Sequence, residues 1–330
     1  MRTIFGKGAV PAASASVTVG DVDRRTAASW YGRALRGLGV LGLGAATFMV
    51  AGSAAMAHTI TRPRRLRLIV DREIDETVES LTFRTDDGLT LHGWYLSHPA
   101  PRDLIVVCHG FAMNRHELLD LARGLHEGGH AVFLFDFRAH GASEGFRSTI
   151  GYREADDIVA AVAFLAARPE LARARVGVVG VSMGGAAALM AAAREPRIAA
   201  VAADSAFATL HDIAAGGLRE LYRLPPYPFT PLIVRFGELL TRARIGLNRP
   251  IDAVAAIAPR PLLLIHGGAD TLIPLRDAHA LYTAAGEPKE LWVVPGVRHG
   301  SALAHDQEAY IRRLDRFFSG ALAPAEAVAV

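Results

Sequence analysis

The stretch that decides the fold of this chain is GVSMGG, residues 180–185. It follows a run of Val and Gly typical of a buried strand, and an alanine-rich segment typical of a helix comes after it. A Gly-x-Ser-x-Gly sequence in that context indicates a serine on a sharp strand-to-helix turn, whose neighbours must be small. A helix that begins just after Ser182 also directs backbone N–H groups at the place where an oxyanion would develop. We therefore predict that Ser182 is a nucleophile and that Gly180 and Gly184 shape its turn.

Strand and helix patterns alternate on both sides of this turn. The predicted strands cover residues 77–85, 89–96, 104–108, 131–136, 176–181, 198–204, 261–266 and 291–294. The predicted helices cover residues 115–127, 152–168, 184–194, 275–285 and 305–318. Asp-Asp-Gly at 86–88 is typical of a hairpin turn, so the first two strands should form an antiparallel edge. The pattern as a whole predicts an α/β domain over residues 77–320, with a mostly parallel sheet covered by helices on both faces.

The predicted nucleophile needs a base, because a free hydroxyl attacks poorly at neutral pH. His299 lies in a loop just after the last predicted strand, and Gly300 beside it leaves room for a mobile ring. The alternatives His109, His140 and His266 each follow an earlier strand, where a structural hydrogen bond is the simpler role. We therefore predict that His299 is the base.

A carboxylate should orient this histidine and stabilise its positive charge. Asp270 follows the strand predicted over residues 261–266, which gives the chain order serine, acid, histidine that accompanies this kind of turn. Asp204, at the end of the preceding strand, is the rival, and it could equally bind backbone near the following insertion. We favour Asp270 as the acid.

Two backbone N–H groups are expected to hold the oxyanion. One belongs to Met183, the residue after the nucleophile, and the other to Phe111 in the loop His109-Gly110-Phe111 that follows the strand over residues 104–108. These two donors would converge on the substrate oxygen.

Residues 205–250 interrupt the alternation with two helix-like pieces separated by three prolines. An insertion between late strands lies over the carboxyl edge of the sheet, where open α/β sheets bind ligands. We interpret it as a lid, with ordinary packing helices as the alternative. Its apolar and aromatic residues predict contacts to substrate from Phe207, Tyr222 and Phe229.

Residues 37–57 form an uncharged run of 21 residues, flanked by arginines on both sides. As a helix the run would rise about 31 Å, close to the hydrocarbon thickness of a bilayer. We predict a transmembrane helix there, preceded by a disordered basic segment at 1–36 and followed by a linker at 58–76. Residues 321–330 read as a loose tail.

Two alternatives to this anchor stay open. A buried core helix would not need basic clusters at both ends, and a cleaved signal peptide could end at Ala55-Met56-Ala57, with secretion as the outcome. The numbers of arginines on the two sides of the run are nearly equal, so they do not set its orientation. We favour a cytoplasmic N-terminus and an extracytoplasmic catalytic domain because a short leader that carries arginines is easier to retain than to translocate.

Composition and charge exclude several other classes. Hydrophobic residues make up 51% of the 330 residues, enough for a large core. Residues 1–80 carry 11 basic and 7 acidic side chains, and the rest carry 25 and 26, so the body lacks the basic face that nucleic-acid binding requires. The single cysteine, Cys108, excludes an internal disulfide and a cysteine-built metal site. A Gly-x-Gly-x-x-Gly match at 37–42 has no preceding strand and does not indicate a dinucleotide site.

Residues 81–320 resemble the α/β-hydrolases. The resemblance rests on the turn at Ser182, the loop at His109-Gly110-Phe111, the segment at 136–143 and the loops at Asp270 and His299, in the family's order. Within the superfamily the chain is similar to membrane-anchored Bem46-like members and to serine aminopeptidase or monoglyceride-lipase-like hydrolases. The resemblance implies an eight-stranded sheet, a serine–histidine–aspartate triad, no metal and no cofactor.

The function expected from these features is hydrolysis of carboxylic esters, of acyl or lipid-like compounds, through an acyl-enzyme. A small-peptide or amide hydrolase is the first alternative, and a hydrolase fold used only for binding is the second. The expected partners are a small ester substrate and a membrane, the latter through residues 37–57, with no nucleic acid. The oligomeric state cannot be derived from the sequence.

Overall fold

The computed structural model describes residues 24–65, 78–99, 101 and 103–323. Most of the predicted linker, the first 23 residues and the end of the predicted tail, 324–330, lie outside the described residues. The strands are β1 Val78–Arg84, β2 Thr90–Leu96, β3 Asp103–Cys108, β4 Ala131–Phe135, β5 Arg175–Val181, β6 Ile198–Asp204, β7 Leu262–Gly267 and β8 Lys289–Val294. The α-helices are α1 Arg24–Thr61, α2 Leu119–Glu127, α3 Glu154–Ala166, α4 Met183–Ala192, α5 Leu210–Tyr222, α6 Pro226–Thr241, α7 Pro250–Ala253, α8 Leu275–Ala284, α9 Ala302–His305 and α10 Gln307–Ala321.

The eight strands form one sheet in the order β1-β2-β4-β3-β5-β6-β7-β8. β2 runs antiparallel to both of its neighbours, and the pairs from β4 to β8 are parallel. The predicted α/β-hydrolase architecture, with an antiparallel edge and a mostly parallel sheet, is confirmed. This topology brings the loops that follow β3, β5, β7 and β8 to one edge of the sheet, because parallel strands end on the same side.

The sheet separates two hydrophobic layers. Along β3, Leu104 and Val106 face a core that includes α3 and α4, while Ile105 and Val107 face a core that includes α2 and α10. Side chains of a strand point alternately to opposite faces, so a strand that is apolar throughout must be covered on both sides. Cys108 ends this strand and is buried.

Helix α1 is longer than the uncharged run that predicted it. It begins at Arg24 and ends at Thr61, so residues expected in the disordered segment and in the linker are helical. Arg and Ala favour helix on the N-terminal side, and the helix ends two residues before Pro63, which cannot continue it. The stretch Trp30–Thr61 is long and apolar enough to cross a membrane. The chain divides within this helix into two compact units, residues 1–49 and 50–330.

The predicted lid region contains α5 and α6, inserted between β6 and β7. Helix α5 begins after Thr209, whose side chain accepts a hydrogen bond from the N–H of Asp212, and it ends at the left-handed residue Arg223. Pro225 follows as the N-cap of α6, and Pro226 is its first residue. The two helices pack against each other, and both contribute residues to one cavity.

Candidate active site

Ser182 sits on a strained turn between β5 and α4, with φ 54° and ψ −113°. The turn tolerates only glycine at two neighbouring positions. A Cβ added to Gly180 would lie 2.6 Å from the nitrogen of Gly185, and one added to Gly184 would lie 2.6 Å from the carbonyl oxygen of His109. The spacing of the motif is therefore required by close backbone packing, and it presents the Ser182 hydroxyl at the carboxyl edge of the sheet.

The structure brings Ser182, His299 and Asp270 together. The Nε2 atom of His299 lies 2.9 Å from Oγ of Ser182, and its Nδ1 atom lies 2.7 Å from Oδ2 of Asp270. The other carboxylate oxygen, Oδ1, accepts the N–H groups of Leu272 and Ile273 at 3.0 and 2.9 Å. An imidazole that donates Nδ1–H to a carboxylate leaves Nε2 free to take the serine proton. The arrangement can therefore activate the hydroxyl.

Asp204 and His266, which the sequence offered as alternative acid and base, form other hydrogen bonds. Asp204 accepts hydrogen bonds from the hydroxyls of Tyr310 and Ser205, at 3.0 and 2.9 Å, and burial raises its pKa. Ser205 in turn accepts the N–H of Gly300 at 3.1 Å, so Asp204 supports the histidine loop indirectly. The Nε2 atom of His266 lies 2.8 Å from the carbonyl oxygen of Ile273 and braces the loop that carries the acid.

A cavity of about 330 Å³ opens at this site. Ser182 and His299 contribute polar atoms to its wall, and the rest of the wall is almost wholly apolar. The other lining residues come from seven parts of the chain: Met56, Ile60, Phe111, Ile150, Met183, Leu210, Ile213, Ala214, Gly217, Leu218, Leu221, Tyr222, Ile233, Val234, Ile245 and Leu272. A concave apolar site with a few convergent polar groups is typical of a binding site for a small molecule.

Of the three lid residues predicted to contact substrate, only one lines this cavity. Tyr222 lines the cavity, but Phe207 and Phe229 are not among the lining residues, and both are buried. Phe207 precedes α5 and belongs to the buried core cluster that also includes residues of α3 and α4. Aromatic residues in an amphipathic insertion can face either the core or the ligand, and composition does not distinguish the two.

Similarity to known proteins settles the family. Residues 103–231 match the family model described as the alpha/beta hydrolase fold. The uncharacterized protein YfhR of Escherichia coli K12 is 33% identical over 256 residues, which cover 75% of this chain and 83% of YfhR. The uncharacterized protein Rv2307c of Mycobacterium tuberculosis H37Rv is 32% identical over 71% of this chain and 77% of its own length. The chain belongs to the α/β-hydrolase family.

Solved structures are similar to this α/β-hydrolase over most of its length. The esterase Pf2001 of Pyrococcus furiosus matches it with a TM-score of 0.67 and 26% identity, covering 80% of this chain and 99% of the esterase. The α/β hydrolase GrgF of Penicillium sp. sh18 matches with a TM-score of 0.62 at 23% identity over 75% of this chain, and shares the fold. Family and neighbours together support a hydrolase activity.

The predicted oxyanion donors of this hydrolase lie beside the nucleophile. Met183 is the first residue of α4, so its N–H has no acceptor four residues earlier within the helix. Phe111 follows β3, and both residues line the cavity together with Ser182. Their placement fits an oxyanion site between the start of a helix and a neighbouring loop.

Two buried histidines, His109 and His140, hold the loop that carries Phe111. The sequence predicted a structural hydrogen bond for each of them but not its partner. The Nδ1 atom of His109 lies 2.7 Å from the oxygen of Gly110, and its Nε2 accepts the N–H of Phe137 at 3.0 Å. His140 accepts the N–H of Ala112 at 3.2 Å. Burial lowers the pKa of His109 well below its usual value and also lowers the pKa of His140, which favours the neutral ring whose Nε2 can accept a hydrogen bond.

The sequence missed one element of the site altogether. Met56 and Ile60, from the end of α1, line the same cavity as Ser182. The run that contains Met56 was interpreted only as a membrane segment, and an apolar stretch carries no signal for which of its residues face a ligand.

Proposed function

We propose that this protein is a serine hydrolase that cleaves carboxylic esters of acyl, lipid-like compounds through a Ser182–His299–Asp270 triad. The observation that carries the proposal is the chain of hydrogen bonds at 2.9 and 2.7 Å that ends at a hydroxyl facing an apolar cavity. The esterase Pf2001 among the structural neighbours supports an ester substrate over other acyl compounds.

The reaction would proceed in two acyl-transfer steps. Ser182 gives its proton to Nε2 of His299 as Oγ attacks the ester carbonyl, and the N–H groups of Phe111 and Met183 stabilise the oxyanion. The tetrahedral intermediate collapses, His299 returns the proton to the leaving alcohol, and an acyl-serine remains. A water molecule, deprotonated by His299, then attacks this acyl group, which releases the carboxylic acid and restores Ser182.

The cavity favours an acyl chain as the group that is held. Its volume is about 330 Å³, and a dry apolar cavity of about 150 Å³ accommodates benzene, so it suits a chain of about a dozen carbon atoms. An aminopeptidase would need a carboxylate for the substrate ammonium group, and within the described part of the chain no acidic side chain lines this cavity. This argues for the ester over the peptide alternative.

We also propose that α1 is retained as a membrane anchor. Cleavage after Ala57 would cut the chain inside the helix, at a residue that is fully buried. The carbonyl oxygen of Thr61, four residues later, accepts the N–H of Ser148 at 2.9 Å. A segment fixed in this way to the catalytic body suits an anchor better than a signal peptide.

The test uses the purified full-length protein in detergent micelles. Wild type should hydrolyse p-nitrophenyl esters and bind a fluorophosphonate probe covalently, and Ser182→Ala should lower kcat by about 10⁴-fold or more and abolish labelling. Ser97→Ala, at an exposed serine after β2, is the matched control and should behave as wild type. Undiminished ester turnover in Ser182→Ala, or a wild type that neither turns over esters nor reacts with the probe, would contradict the proposal.

A further inference from the structure

We infer that residues 50–61 of α1 form part of the acyl-binding wall, so that Met56 and Ile60 determine the length of acyl chain that this enzyme accepts. The inference rests on the proposed function, since it assigns the acyl group of the ester to the cavity at Ser182. The helix would then have two roles: it anchors the protein to the membrane, and its end forms part of the binding site.

The first argument is the pattern of contacts along this end of the helix. Ser53, Ala57 and Thr61 are buried, and Met56 and Ile60 are partly buried and line the cavity. Spacings of three and four residues place all five on one stripe of an α-helix. On the opposite side of the helix, Ala55, His58 and Thr59 are exposed. One face of this segment therefore packs on the catalytic body, and part of that face remains open to the cavity.

The second argument is that polar contacts fix the helix end in place. The hydroxyl of Thr61 donates to the carbonyl oxygen of Ala57 at 2.7 Å and accepts Nη1 of Arg147 at 2.9 Å. The carbonyl oxygen of Thr61 accepts the N–H of Ser148. Ser148 donates its hydroxyl to Glu154 at 2.7 Å, and this carboxylate also accepts the N–H of Gly151 beside the cavity. Met56 and Ile60 are thus held at defined positions, which a length-determining wall requires.

The third argument is the length of the helix. The apolar stretch Trp30–Thr61 has 32 residues, which rise about 48 Å, whereas the hydrocarbon core of a bilayer needs only about 20 residues. About 12 residues are therefore surplus to an anchor. The second compact unit begins at Val50, so we assign the surplus to Val50–Thr61. The membrane span then lies over residues 30–49 rather than over the 37–57 predicted from the sequence, and Arg33 and Arg36 near its N-terminal end can extend their charged groups to the membrane surface. A helix longer than a membrane anchor requires is expected when its end also forms part of the catalytic body.

Two substitutions with opposite expected effects test the inference. Ile60→Trp adds bulk to the wall and should lower the ratio of kcat/KM for p-nitrophenyl decanoate to kcat/KM for p-nitrophenyl acetate about tenfold. Met56→Ala removes bulk and should move the preferred acyl chain upward by two or more carbons, because each buried methylene contributes about fourfold in binding. Thr59→Trp is the matched control on the exposed face of the same turn and should leave the chain-length profile unchanged.

A binding measurement keeps this inference separate from the proposed function. The Ser182→Ala protein should bind cis-parinaric acid, a fluorescent fatty acid, and the double variant Ser182→Ala/Ile60→Trp should bind it about tenfold more weakly. If wild type cleaves esters but neither α1 substitution changes the decanoate-to-acetate ratio, the inference is wrong and the proposed function stands. If no ester is cleaved, the proposed function fails, and equal fatty-acid affinity of the single and double variants would overturn the inference as well.

Discussion

The floor and the roof of the cavity are built by different physical means. The floor consists of Ser182, His299, Asp270 and the proposed oxyanion loop at 109–112, and directional hydrogen bonds between polar groups hold it. The roof consists of α5, α6 and residues 50–61, and it contributes mainly apolar side chains to the wall. Hydrogen bonds fix atoms to within a few tenths of an ångström, whereas apolar packing fixes shape and volume.

This difference indicates a division of roles. Under the proposed function the floor contacts the reacting atoms, so a substitution in the floor should change the rate for every ester. A substitution in the roof should change the rate only for esters whose acyl chain reaches it. The four predictions below test this division, from the largest expected effect to the smallest.

Replacing the acid of the floor should have the largest effect. Asp270→Asn keeps the shape of the side chain but favours the wrong tautomer of His299, so kcat should fall by about 10³- to 10⁴-fold for acetate and decanoate esters alike. Asp204→Asn, in the network around Tyr310, should cost far less activity. Steady-state kinetics on both esters measure this, and a similar loss in the two variants would place the acid elsewhere.

Releasing the oxyanion loop should have the next largest effect. His140→Ala removes the acceptor of the Ala112 N–H, so Phe111 is held less firmly and kcat should fall by about 10- to 100-fold with little change in KM. His140→Gln offers a carbonyl oxygen to the same N–H and should recover most of this loss. If His140 only stabilises the fold, His140→Ala should lower the free energy of unfolding, and His140→Gln should not restore the kcat of the folded enzyme.

The same histidine should make stability depend on pH. Burial lowers the pKa of His140 in the folded state, so its contribution to stability is fully present above the unfolded-state pKa of about 6.5 and is lost as the pH falls towards the folded-state value. Relative to His140→Gln, wild type should lose at most about 1.4 kcal/mol of unfolding free energy per pH unit below 6.5. Guanidinium unfolding of both proteins at pH 7.5 and 5.5 measures the difference in unfolding free energy. The contributions of the other titrating groups cancel because the two proteins share them. A difference independent of pH would show that His140 charges freely in the folded protein.

Shortening a side chain at the edge of the roof should have the smallest effect. Leu221 lines the cavity and is 70% exposed, so Leu221→Ala should lower kcat/KM for the decanoate ester by about three- to fivefold and leave the acetate ester unaffected. Leu239→Ala is the control, at a leucine of α6 that is also exposed and is not among the lining residues. An equal loss for both esters would remove the distinction between floor and roof.

The sequence by itself determined the floor. The order of Ser182, Asp270 and His299 after successive strands could be derived because a parallel sheet delivers the loops after its strands to one edge. The glycines at 180 and 184 marked the turn because a tight backbone approach excludes larger residues. These constraints are local in the chain, so a pattern of a few residues reports them.

Only the tertiary structure decided the roof. Phe207 packs in the core, Tyr222 lines the cavity, and the end of α1, more than 120 residues before Ser182, contributes Met56 and Ile60 to the same wall. The burial of apolar surface is non-directional, so an apolar helix face can be covered by the core, by a lid, by a ligand or by lipid. Which of these covers a given side chain depends on how distant segments pack, and the sequence of one segment does not specify it.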